Sequence, residues 1–131
     1  MPLGLRDIRS AADAIRSSVD RTPLVWSRSL SVRAHAHVLL KLENLQRTGS
    51  FKVRGAFNRL SFMTAAERRR GVVAASAGNH AQGVALAART LGMPATIVMP
   101  EGSSIAKQEA SRSYGARVVI SGKDLEGAMR R

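Results

Sequence analysis

From Gly71 onward the chain alternates strand-length apolar runs with helix-length segments, and this alternation constrains the fold more than any other feature. Residues 72–75, 95–99 and 117–120 read as strands, and residues 79–91, 104–113 and a segment from Lys123 read as helices. Strands separated by helices imply a parallel sheet joined by right-handed crossovers. The expected architecture is therefore α/β, with a parallel sheet in a three-layer α/β/α arrangement. Upstream, Leu5, Ile8, Ala12, Ile15 and Val19 recur at helical spacing and predict an amphipathic helix up to a break at Thr22-Pro23. Residues 24–26 and 37–43 are strand candidates. A helix is expected over residues 50–62, with a short extension over 65–70. There is no internal repeat and no low-complexity linker.

The segment Thr48-Gly49-Ser50-Phe51-Lys52-Val53-Arg54-Gly55-Ala56 places a lysine at the expected start of a helix, between a glycine turn and an apolar face. The chain has four lysines, Lys41, Lys52, Lys107 and Lys123, against 17 arginines, so positive charge is nearly always supplied by arginine. Lys52 is thus a candidate for a role that needs an amine, such as Schiff-base formation. That chemistry requires the neutral form, and a free lysine titrates at about 10.4. A helix N-terminus and partial desolvation beside Phe51 both disfavour the ammonium. The alternative is a surface lysine in a helix's first turn.

A second motif, Gly71-Val72-Val73-Ala74-Ala75-Ser76-Ala77-Gly78-Asn79-His80-Ala81-Gln82-Gly83-Val84-Ala85, reads as a buried strand, a tight turn and an alanine-rich helix. Ser76, Gly78, Asn79 and His80 fall at the turn. A helix beginning there presents unpaired N–H groups whose dipole favours a carboxylate or phosphate. Gly78 permits close approach of a ligand, and Asn79 both donates and accepts hydrogen bonds. Ser76 or Asn79 could equally cap the helix, and capping and ligand binding are compatible.

Together with the preceding run from Lys41 through Glu43 to Arg47, these two motifs resemble the threonine/serine dehydratase branch of the pyridoxal-phosphate enzymes with the tryptophan-synthase-β-like fold (fold type II). The resemblance starts near Thr22-Pro23-Leu24 and continues through Tyr114-Gly115-Ala116. It implies that Lys52 holds pyridoxal 5'-phosphate as a Schiff base and moves the Cα proton of the substrate. It also implies that Phe51 packs on the pyridine ring and that Asn79 bonds the ring 3-hydroxyl. The turn of Ser76, Gly78, Asn79 and His80 is then expected to bind the carboxylate of threonine or serine. Loss of the β-hydroxyl would give a 2-oxo acid and ammonia. Related serine racemases usually carry a second serine where this chain has Ala77, so the turn leans toward elimination over racemisation.

Family members are longer, and the glycine-rich loop that binds their cofactor phosphate is not found in these 131 residues. The chain is therefore expected to be an N-terminal portion, truncated relative to the family. Residues 1–50 would belong to an incomplete large domain and residues 51–131 to the small cofactor-binding α/β domain. The first strands would then expose apolar surface, favouring marginal stability or self-association. The family also suggests a homo-oligomer. A catalytically silent fragment that docks on a partner is a further reading.

Composition fits a globular chain: 44% hydrophobic and 23% charged residues. Zero cysteines exclude a disulfide framework and suit a cytoplasmic protein, and no apolar run approaches a membrane span. The net charge of +12 raises nucleic-acid binding as a competing class. The arginines are scattered, apart from Arg68-Arg69-Arg70 and Arg130-Arg131, and aromatic residues make up 4%, so stacking platforms are few and no nucleic-acid partner is expected. His35, His37 and His80 lack carboxylates at ligand spacing, so no metal site is expected.

Overall fold

The computed structural model describes residues 2–130. Its centre is a three-stranded parallel sheet in the order β3-β4-β5, built from β3 (Val72–Ala75), β4 (Ala95–Met99) and β5 (Arg117–Ile120). Val72 lies opposite Ala95 and Ile97 opposite Val118. Residues 95–99 form the central strand because nearly every side chain there is apolar and both faces are covered; Ile97 and Met99 are fully buried.

Helix α5 (Asn79–Thr90) returns the chain from β3 to β4, and α6 (Ile105–Ser113) returns it from β4 to β5. The sequence of α5, NHAQGVALAART, is rich in the strongest helix former, and residues 83–88 are buried almost all round. The reason is its position between the sheet, α6 and α3 (Lys52–Ser61). Val72, Ala74, Ile97, Met99 and Val118 face this helix layer. On the opposite face, Ala75 and Val98 meet Ala128 of α7 (Leu125–Met129), which gives the three α/β/α layers expected.

The N-terminal part carries two helices and a second, two-stranded sheet. Helix α1 (Leu5–Ile15) packs on α3 through Ile15, which is buried, while Leu5 and Ile8 remain exposed. Strands β1 (Leu24–Trp26) and β2 (Leu39–Lys41) form an antiparallel pair with Val25 opposite Leu40. A 3-10 turn, Glu43–Leu45, leads toward the lysine segment.

Four expectations are corrected. The first helix stops at Ile15 and not near Thr22, because the chain turns there to pair Asp20 with Gln46. The second strand covers only Leu39–Lys41 of the expected 37–43. Helix α2 (Arg28–Ala34) was not expected, since no apolar stripe marks it; Ser27 caps its start and His35 closes it in the left-handed region at φ 48°. Residues 65–70 are a separate helix, α4 (Ala65–Arg70), and not an extension of α3. Thr64 starts it with a capping box: the Glu67 N–H donates to the Thr64 hydroxyl and the Thr64 N–H donates to the Glu67 carboxylate, which lowers the pKa of that carboxyl. Arg68 in this helix is more than a solvated charge, because it donates to the carbonyls of Ser61 and Met63 at the end of α3.

Gly71 joins α4 to β3 at φ 82°, ψ −167°, a region essentially reserved for glycine. A Cβ there would lie 2.5 Å from the Pro94 carbonyl oxygen, the acceptor of the Val72 N–H that opens the sheet ladder. Gly71→Ala is expected to lower unfolding free energy by about 3 kcal/mol from strain plus displacement of that bond. Urea titration checks this, and a loss under about 0.5 kcal/mol, the usual range for a bland surface substitution, would contradict it.

Candidate active site

Lys52 is the first residue of α3, preceded by Phe51 in the N-cap position with no side-chain cap. It is exposed, and its ammonium nitrogen sits 5.0 Å from the centre of the Phe51 ring, a cation–π contact. Phe51 is itself 58% exposed. The desolvation expected beside Phe51 is therefore not supplied by the described residues, because water reaches both side chains. Just upstream, Thr48 and Ser50 are buried, and among the described residues their hydroxyl oxygens have no hydrogen-bond partner.

The second expected element sits at the C-terminal end of β3. The Ser76 N–H donates to the Val98 carbonyl as the last rung of the ladder, and the chain then turns into α5. The Ser76 hydroxyl accepts from the Gly78 N–H at 3.3 Å. Gly78 is the N-cap of α5, and no side chain caps that end. Neither Ser76 nor Asn79 thus serves as the helix cap, leaving the first N–H groups of a 12-residue helix free of side-chain partners. A Cβ built on Gly78 would meet nothing within 4 Å, so this edge of the turn is open. Asn79 and His80 are exposed.

Gly83 brings the two elements together. A Cβ on Gly83 would stand 3.1 Å from the Val53 nitrogen and 3.2 Å from the Lys52 carbonyl carbon, so α5 lies directly on the backbone of the first turn of α3. Asn79 is four residues earlier on the same face of α5, roughly 6 Å along the axis. Open strand ends followed by helix N-termini are where parallel α/β sheets bind ligands.

The lysine segment is also held from behind by a polar network that sequence reasoning did not assign. Arg54 donates from Nε to Glu43 Oε2 at 2.8 Å and from Nη2 to Glu43 Oε1 at 2.7 Å, a two-pronged ion pair. Arg54 also donates to the Asp20 carbonyl, and the Thr22 hydroxyl donates to Glu43. Buried Gln46 exchanges two bonds with the Asp20 backbone, and the Tyr114 hydroxyl donates to the Arg47 carbonyl. Hydrogen bonding from Arg54, aided by Thr22 and the charges of Arg54 and Lys41, holds the Glu43 carboxyl at a pKa of about 2. Glu43 and Arg54 both lie in the run that carries the family resemblance, but an 11-residue separation has no periodic signal, so only the fold reveals the pair.

A groove of about 740 Å³ lies behind α3, lined by Ile8, Ile15, Val19, Arg21, Lys41 and Asn58 among others. Lys52 does not line it. The groove follows from the packing of α1 on α3 and is separate from the 76–80 turn.

A family model described as "Pyridoxal-phosphate dependent enzyme" matches residues 15–131. The chain belongs to this pyridoxal-phosphate dependent enzyme family. Among its relatives, an L-threonine ammonia-lyase of Thermotoga maritima is 50% identical over 95% of this chain and 31% of its own length. An L-threo-3-hydroxyaspartate ammonia-lyase of a Pseudomonas species is 58% identical over 87% of this chain and 36% of its own length. Among solved structures, maize serine racemase matches with a TM-score of 0.91 at 35% identity, covering 99% of this chain and 40% of that one. The processed form of threonine deaminase isoform 2 from Solanum lycopersicum matches at 0.81 and 38% identity, covering 96% of this chain and 38% of that one. The chain thus spans about a third of the length of the curated relatives.

The network gives a testable pH dependence. The folded Glu43 pKa of about 2 lies below its ordinary 4.5, so the pair's contribution is complete above about pH 4.5 and is lost as pH falls toward 2. The full contribution is on the order of 3 kcal/mol, with about 2 kcal/mol gone by pH 3. Urea midpoints compared from pH 6 to pH 3 should fall less steeply in Glu43→Gln than in the parent chain. Parallel slopes would remove Glu43 as the cause.

Proposed function

We propose that this chain carries the cofactor-lysine and carboxylate-binding region of a pyridoxal-phosphate dependent ammonia-lyase acting on a β-hydroxy amino acid, threonine or serine. The observation that carries the reading is the approach of α5 at Gly83 to the backbone of Lys52 and Val53, which sets the helical turn bearing an exposed lysine about one turn of α5 from that helix's uncapped N-terminus. The residues fit the group. An accessible amine, an open glycine edge at Gly78 and free N–H groups are a donor set for an aldehyde and an anion.

When bound, pyridoxal phosphate supplies an electron sink for charge developing at the substrate Cα. In this reading Lys52 anchors the cofactor covalently and moves the proton at that carbon. Phe51 offers its ring face to the pyridine, and Asn79 bonds the 3-hydroxyl. The Ser76 hydroxyl and the N–H groups of Asn79 and His80 bind the substrate carboxylate, with Gly78 leaving room for it. Ammonia-lyase relatives support elimination, and the substrates in their names, threonine and 3-hydroxyaspartate, share a β-hydroxyl. Serine racemase is a structural neighbour, yet Ala77 brings no hydroxyl to the turn for proton transfer to the opposite face.

Residues 1–50 are assigned in this reading to the large domain and 51–131 to the small cofactor-binding domain. Their separate sheets and the one-third coverage of the relatives support that division. A homo-oligomer and a cytoplasmic setting complete the proposal; no helix among the described residues is long and apolar enough to cross a membrane.

Absorption spectra of the purified chain with added pyridoxal phosphate test the assignment. A visible band is expected in the parent chain and in Lys41→Ala, and none in Lys52→Ala. Equal loss in both variants would remove Lys52 from the role.

A further inference from the structure

The segment that carries Lys52 is closed by side chains at both ends. Glu43 stands in the 3-10 turn before it, and Arg54 lies two residues beyond Lys52 in the same helical turn. Between them the chain makes a tight turn, with the Gly49 N–H donating to the Gln46 carbonyl at 2.7 Å and Gly49 at φ 66°. The Arg54 N–H then donates to the Phe51 carbonyl at 3.0 Å. Phe51 and Lys52 therefore stand at the crest of a loop whose feet are joined by the two-pronged ion pair.

The pair is well placed to set geometry. Its side chains are 30% and 17% exposed for Arg54 and Glu43, so neither is a freely moving surface charge. Both Glu43 oxygens are used, and Arg54 spends a further bond on the Asp20 carbonyl. A planar fork bound this way resists rotation, whereas a single contact would let the helix end pivot. On the far side, Gly83 fixes the distance from the same helical turn to α5. Pivoting of α3 about that contact would move Lys52 relative to the 76–80 turn and would stretch both prongs of the ion pair.

We propose that Glu43 and Arg54 are positioning residues that clasp the lysine-bearing loop and fix the placement of Lys52 against the turn of Ser76, Gly78, Asn79 and His80. The consequence for cofactor capture rests on the functional reading above, while the mechanical part does not. Neither residue touches the cofactor in this proposal; they act through the backbone of α3.

Two measurements on the full chain separate these parts, using Glu43→Gln, which keeps size but loses charge, and Arg54→Lys, which keeps charge but loses the fork. Amide hydrogen exchange reads the clasp directly. The Gly49 and Arg54 amides are expected to exchange about tenfold faster in both variants, equivalent to about 1.4 kcal/mol, while the Gly71 and Ala128 amides, bonded within α4 and α7 away from the pair, keep their protection. Equal acceleration at the loop and at those distant amides would make the pair's effect unspecific to the loop and overturn the proposal, as would unchanged exchange at Gly49 and Arg54 in either folded variant.

Titration with pyridoxal phosphate then reads the consequence for Lys52. The Lys52-dependent band is expected to need at least fivefold more pyridoxal phosphate for half-saturation in both variants, with its saturating amplitude preserved. A reduced amplitude at unchanged half-saturation would reflect loss of folded protein and would overturn positioning of Lys52. Absence of the band in the parent chain would instead sink the cofactor reading, and the exchange result alone would then decide the clasp.

Discussion

The contact between Gly83 and the first turn of α3 sets how the two helices beside the candidate site can pack. A side chain at residue 83 would meet backbone atoms at 3.1–3.2 Å, and backbone in the first turn of a packed helix yields little. With hydrogen in that place, α5 sits directly against the backbone of α3. Alanines 81, 85, 87 and 88 extend the same logic around the helix, letting the sheet and α6 approach its other sides. Small residues thus pack one helix against three neighbours, while Phe57, Ile97 and Met99 are the largest fully buried side chains. Because the N-terminal end of this helix is also the turn after β3, the contact at Gly83 places the backbone of Lys52 about one helical turn along α5 from that turn.

Arginine is the other recurrent device. A chain with a net charge of +12 suggests an electrostatic surface, yet several arginines are committed to backbone carbonyls. Arg47 reaches Ser18, Arg54 reaches Asp20, Arg68 reaches Ser61 and Met63, and Arg89 reaches Ser113. Each joins elements distant in sequence or closes a helix end. The guanidinium's several fixed donors suit this work better than an ammonium, which is consistent with the scarcity of lysine outside the site. Four of the 17 arginines thus fasten loops or helix ends.

Legibility in the sequence followed the range of the interactions involved. Strands 72–75, 95–99 and 117–120 were readable because each is a short, largely apolar run with glycine or proline one or two residues before its start. Lys52 and the 76–80 turn were readable because their types and local order are unusual. Helix α2 was not, since Ser27 and His35 define it by its ends and its interior, RSLSVRA, has no buried stripe. Glu43 with Arg54, Gln46 with Asp20, and Tyr114 with Arg47 were hidden for a different reason: these partners meet only after the N-terminal segment folds against α3. The expectation about Phe51 failed on burial, because an apolar type says nothing about whether anything covers it.

Apolar exposure in this chain has a pattern that bears on the same point. Leu24, Trp26, Leu39 and Leu40 remain exposed on a two-stranded ribbon, an element that is marginal by itself in water. The ribbon persists because polar bonds anchor it: Lys41 donates to the Thr22 carbonyl, the Leu42 N–H to the Pro23 carbonyl, and Thr22 to Glu43. The expected exposure of the first strands is thus present, and Phe51 at 58% and Val73 at 72% exposed add to it outside the ribbon. Polar fastening and apolar exposure together describe a segment whose position is specified before its hydrophobic surface is satisfied. The loop that carries Lys52 is thus held by directional bonds among Asp20, Thr22, Glu43, Gln46 and Arg54, and the exposed, non-directional apolar surface beside it takes no part in setting that geometry.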